Sequence, residues 1–188
     1  MAQPTQSKQP RTIQISLRTA ALSALALILL GATAGVLADK VKVSPGDYRD
    51  KEPKASATSL LTSARATLEK DESWERIAIG QILYLSGQEA EAEALWDSIR
   101  KPEPGDWIRI GRVLYRAGEW DRAKEYFDRV VKAKPKDEDW LAEIGMYYNL
   151  QGDRDTAESL FDRSFREDPD NLYNILKAAG SYLGVEER

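Results

Sequence analysis

Two kinds of hydrophobic patterning divide the chain. Ala20 to Ala38 is a run of nineteen residues without a charge, whereas from Lys54 onward apolar residues recur at three- and four-residue intervals among charged ones. The second pattern is the spacing of amphipathic helices, and period-two alternation never persists, so residues after the apolar run are expected to be all α. Leu60, Leu61, Ala64 and Leu68 can share one face of a helix over 54–70. Leu172, Ile175, Leu176, Ala179 and Leu183 predict the apolar face of a closing helix over 172–183. Residues 39–53 are charged, are broken by Pro45, Gly46 and Pro53, and read as a flexible linker.

Between the two flanking helices the pattern repeats. Gly111, Gly118, Ala123, Phe127 and Pro135 recur as Gly145, Gly152, Ala157, Phe161 and Pro169, each shifted by 34, and occur upstream as Gly80, Gly87, Ala92, Trp96 and Pro104, each shifted by 31. Ile79, Ile110 and Ile144 precede the first glycine of each set, and Leu83, Leu114 and Tyr148 follow it by three. The shorter interval is explained by a deletion between Pro104 and Trp107. Each position has a role in a pair of antiparallel helices. The Ile-Gly pair offers a knob beside a residue without a side chain, where another helix can come close. Gly87, Gly118 and Gly152 supply the left-handed turn that ends the first helix. The small residue and the aromatic four positions later share a face of the second helix, and the prolines stop it. Asp106 and Asp153 are expected N-caps, and the acidic groups at Asp137-Glu138-Asp139 and Asp168-Pro169-Asp170 read as caps, since they lack the spacing of calcium loops.

Trp107-x2-Ile110-Gly111-x2-Leu114 with Ala123-x3-Phe127 and Pro135 resembles the tetratricopeptide repeat, as does Leu141-x2-Ile144-Gly145-x2-Tyr148 with Ala157-x3-Phe161 and Pro169. The first copy departs from the pattern, with Arg76 at the aromatic position and Trp96 in place of Phe. The resemblance implies a right-handed helical-hairpin solenoid of three repeats, at about 73–103, 104–137 and 138–171, within a domain spanning 54–183. It also implies a binding scaffold that holds a protein or peptide in the concave groove lined by the first helices. Helical spacing then places Trp74, Ile77, Gln81 and Tyr84 of repeat one in that groove, with Ile108, Arg112, Tyr115 and Arg116 of repeat two and Asp139, Ala142, Met146 and Asn149 of repeat three. The carboxylate clamp of some family members needs Lys and Asn where this chain has Ile77, Gln81, Ile108 and Arg112, so that clamp is not expected. Arg112 and Arg116 project either toward a ligand or toward Glu119, Asp121 or Asp139 on a solvated face.

Composition narrows the chemistry. With neither histidine nor cysteine, the chain has no imidazole or thiolate chemistry, no disulfide and no familiar zinc set. No spacing singles out a catalytic group, so no enzyme activity and no cofactor or metal is expected. The net charge of −4 gives no pull toward nucleic acid. Residues 1–38 carry only Lys8, Arg11 and Arg18 as charges, which puts a basic cytoplasmic tail, 1–19, before the apolar run at 20–38. Nineteen apolar residues are near a spanning length, while Ala32-Thr33-Ala34 and Val36-Leu37-Ala38 offer signal-peptidase sites; either a retained membrane anchor or a cleaved signal fits. In both cases the repeats lie outside the cytoplasm, at the cell envelope or in the periplasm. Two functions remain open: a protein-binding scaffold or adaptor, and a chaperone or assembly factor for exported polypeptides.

Overall fold

The chain divides into two units, Met1–Asp39 and Lys40–Arg188. The computed structural model describes residues 41–70 and 72–187, all in the second unit. The apolar run at 20–38 and its topology therefore lie outside the described residues. Among the described residues no helix is long and apolar enough to cross a membrane.

Those residues form a solenoid of eight α-helices without a strand: α1 (Pro53–Ala66), α2 (Ser73–Leu85), α3 (Glu89–Asp97), α4 (Pro104–Arg116), α5 (Trp120–Ala133), α6 (Glu138–Leu150), α7 (Arg154–Glu167) and α8 (Leu172–Tyr182). Helices α2/α3, α4/α5 and α6/α7 pair as hairpins. At each hairpin turn a glycine takes positive φ, 82° at Gly87 and Gly118 and 85° at Gly152, which closes the turn in three residues. The second helices aim an aromatic ring at the glycine of the first. A Cβ on Gly111 would lie 2.6 Å from Phe127, one on Gly145 2.7 Å from Phe161, and one on Gly80 2.2 Å from Trp96. The repeated positions Ile79, Leu83, Ala92, Trp96, Ile110, Leu114, Ala123, Phe127, Ile144, Tyr148, Ala157 and Phe161 are all buried, so the periodicity and the core coincide.

Several local expectations are corrected. The three-residue shortening of repeat one does not fall after Pro104, because Pro104 is the first residue of α4; it falls in the second helix, nine residues long in α3 against fourteen in α5 and α7, and a longer loop offsets part of it. Asp106 is not the N-cap. It stands one turn inside α4, where its carboxylate accepts the Glu103 N–H at 2.9 Å and the Ser73 hydroxyl at 2.8 Å, tying α4 to α2. Asp153 and Asp137 do cap, accepting from the N–H groups of Thr156 and Trp140, whereas Asn171 rather than Asp168 or Asp170 caps α8. Part of the 39–53 segment is structured: Pro45–Asp47 is a 3-10 turn, held by the Asp47 carboxylate accepting from Ser44 N–H and from the Ser59 hydroxyl. Helix α1 ends four residues short of 70; Leu61, Ala64 and Leu68 rest on the core, and Leu60 is exposed.

The joints between hairpins differ. Helices α2 and α4 lie close together, as do α6 and α8, but no Cα of α4 comes within 8 Å of one in α6. Aromatic rings fill the wider joint. Phe127 stacks on Tyr147 with centroids 5.0 Å apart and planes 4° apart, Tyr115 lies 4.5 Å from Tyr147, and Trp120 meets Tyr148 edge-on at 5.1 Å. Small residues on α8, Ala178 and Ser181, allow the opposite, a close approach to α6.

The joint between repeats one and two is latched on its outer side by Tyr84. Its hydroxyl donates to Glu119 at 2.5 Å, while Arg122 donates to that hydroxyl, to Glu119 and to Glu93. Burial, and next the hydrogen bond to Glu119, push the Tyr84 phenol from its ordinary 10.0 up to about 12. Burial likewise raises Tyr147 and Tyr148. Because the folded state holds these protons more tightly, stability is fully present below pH 10 and falls as pH rises from there through about 12. Alkaline titration followed by phenolate absorbance and circular dichroism checks this: the loss begins near pH 10 in the native chain and is smaller in Tyr84→Phe.

Candidate functional site

A groove lies between the first helices α2, α4 and α6, and α8 and the residues after it also line it. Heptad-like spacing along α4 puts Arg109, Arg112 and Arg116 in a row lining this groove, each about one helical turn from the next. Arg109 lays its guanidinium over the ring of Trp74, 3.5 Å from the centroid. Arg112 grips Glu143 of α6 in a two-pronged pair, at 2.5 and 2.6 Å, the fork geometry that suits a carboxylate. Burial works against the charge of Arg112, but the Glu143 carboxylate more than offsets it and holds the guanidinium protonated. Arg116 donates to Glu186 at 3.1 Å, and the Tyr147 hydroxyl reaches the same carboxylate oxygen at 3.4 Å. Gly184 takes positive φ after α8, and this turn brings Glu186 back into the groove.

The residues expected in the groove do not all reach it. Trp74, Gln81, Arg112 and Arg116 line it. Tyr115 is half-buried in the aromatic joint against Trp120 and Tyr147 and is not a free anchor. Asp139 lies exposed near Asn171, and Asn149 donates to Ser181 of α8. Tyr84, Ile108, Ala142 and Met146 are buried and are corrected from groove to core; Ile77 is buried as well, yet it is among the residues that line the groove. Their placement by helical spacing assumed that the face opposite the second helix meets solvent. In a solenoid that face is shared, since the next first helix covers it: α4 stands over α2, and α8 over α6. Tyr84 is turned further, stacking on Trp96 at 5.2 Å.

Spacing on its own did not single out Glu143, Glu186, Arg109 and Lys177, all of which line the groove. The partners offered for Arg112 and Arg116 were Glu119, Asp121 and Asp139, yet Glu119 serves Tyr84 and Arg122. Glu143 was legible in one respect: it stands 34 residues after Arg109 and so occupies the same face of the next first helix. Glu186 follows the last helix, where no repeat pattern reaches it. Among the described residues no cluster of carboxylates could hold a metal ion.

No curated protein and no solved structure matches the chain. A family model described as Tetratricopeptide repeat matches residues 108–171, the stretch from α4 to the cap of α8, and supports a tetratricopeptide-repeat protein.

Proposed function

We propose that the chain is a non-enzymatic scaffold or adaptor of the cell envelope, carried to or held in a membrane by residues 20–38, that binds a protein partner through the groove. Repeats of this family generally bind protein partners, which supports the binding class. The observation that carries the finer reading is Glu186: a carboxylate from the segment after α8 already sits against Arg116 and Tyr147, in a groove that Lys177, Arg109 and Trp74 also line. The ligand chemistry that fits is therefore an extended acidic segment with an apolar side chain for Trp74. Such a ligand displaces Glu186, while Arg112, occupied by Glu143, positions the wall rather than contacting it.

Affinity capture with the full chain from an envelope fraction tests both location and site. The partner is expected from that fraction and not from cytosol. Arg116→Ala weakens capture about tenfold, the consequence of losing about 1.4 kcal/mol from a partly desolvated charge contact, and Glu186→Ala strengthens it. Arg163→Ala, whose guanidinium serves the Pro135 carbonyl on the second-helix side, leaves it unchanged. Loss with Arg163→Ala but not with Arg116→Ala moves the partner off the groove. Weak capture of many unrelated unfolded chains favours the chaperone alternative.

A further inference from the structure

Helix α8 was expected to close the solenoid with Leu172, Ile175, Leu176, Ala179 and Leu183 turned inward, and the structure turns it the other way. The face against α6 is Asn174, Ala178 and Ser181, while all five expected residues are exposed. The repeat register gives the reason. A shift of 34 maps Leu141, Ile144, Gly145 and Tyr148 of α6 onto Ile175, Ala178, Ala179 and Tyr182, and the N-cap Asp137 onto the N-cap Asn171. Helix α8 is thus the first helix of a fourth unit, stacked on α6 as α4 is on α2. Tyr182 leans on α7 as Tyr148 leans on α5: its hydroxyl donates to Glu158, as that of Tyr148 donates to Asp128.

What differs is the cover. Leu141 is 1% exposed and Ile175 42%; Tyr148 is 2% and Tyr182 48%; Ala142 is 0% and Leu176 44%. Repeat three keeps the equivalent positions buried. The residues after α8 leave those on α8 open, because Gly184 turns the chain toward the groove and Glu186 is held there by Arg116. A terminal helix of a solenoid needs a polar outer face, and a contiguous apolar one marks an interaction surface.

We infer that α8 accepts an amphipathic helix of a partner protein, which docks antiparallel in the second-helix place of the fourth unit and completes it. The register also specifies the occupant. In repeat three the partner ring Phe161 lies against a glycine, and a Cβ there would stand 2.7 Å from it. The equivalent Ala179 carries that Cβ, so the incoming helix presents a narrower Leu or Met at this point, four residues after a small residue. This surface is on α8 away from the groove, so it stands apart from the groove reading.

The test uses the full chain and a fluorescently labelled peptide of residues 154–167, the α7 sequence, carrying Phe161→Leu. The expected result is saturable binding that Ile175→Glu and Ala179→Glu each weaken at least about tenfold, by burying an unpaired carboxylate, while Arg116→Ala has no effect. The peptide with Phe161 retained binds less tightly. Thermal melts confirm folding of each variant, and Leu176→Glu at the same open face replaces any that fails to fold. Absence of binding, or binding that survives both substitutions, overturns the inference. Concentration-dependent self-association that the same substitutions abolish also overturns it, by assigning the face to a second copy of this chain.

Discussion

Phe127→Ala lowers the unfolding free energy by about 3–5 kcal/mol, the range for truncating a large buried aromatic. Phe127 is fully buried, its ring lies on the Gly111 backbone, and it stacks on Tyr147 across the joint between repeats two and three. Truncation therefore opens a cavity inside one hairpin and removes the filler that keeps α4 and α6 at their wide spacing. No Cα of α4 lies within 8 Å of one in α6, so little collapse between those helices relieves the loss. Chemical denaturation with Phe165→Ala as comparison checks it, since that ring is only partly buried and costs less. A loss below about 1 kcal/mol for Phe127→Ala would mean the site relaxes freely and the joint is not held by its rings.

Gly111→Leu destabilises by about 1–3 kcal/mol or more, because its first carbon alone would stand 2.6 Å from a ring that cannot retreat from Tyr147. The helix propensity gained on replacing glycine, about 1 kcal/mol, works against this and does not cover it. The sign reverses where the space is soft. Gly105→Ala meets only the tip of the Arg109 side chain, at 3.3 Å, and is neutral or stabilising by less than about 1 kcal/mol. Equal melts for the two variants would falsify the assignment of Gly111 as a close-approach position.

The hairpins were legible because the sequence states their contacts locally. A glycine facing an aromatic, a glycine at the turn and a small residue one helical turn before the ring all belong to one helix pair, and the 34-residue shift copies them. The same argument failed for the groove. Helical spacing tells which residues turn away from the partner helix, and Ile108 and Met146 do; it does not tell that the assembled solenoid then buries them. Arg112 shows the limit from the other side, since its spacing put it on the right face while its partner, Glu143, is contributed by another helix.

The sequence by itself determined the helical class, the hairpin unit and its core, because those depend on contacts within about one repeat. Only the tertiary structure decided what each unit does to its neighbour. It sets an aromatic spacer between repeats two and three, brings Glu186 back onto Arg116, and turns the apolar side of α8 outward. The physical reason is that a helix with two partners has two apolar demands. For α8, apolar residues alone suggested one inward face, but the close stacking on α6 selected the small residues Ala178 and Ser181 instead, and left the large ones to whatever completes the unit.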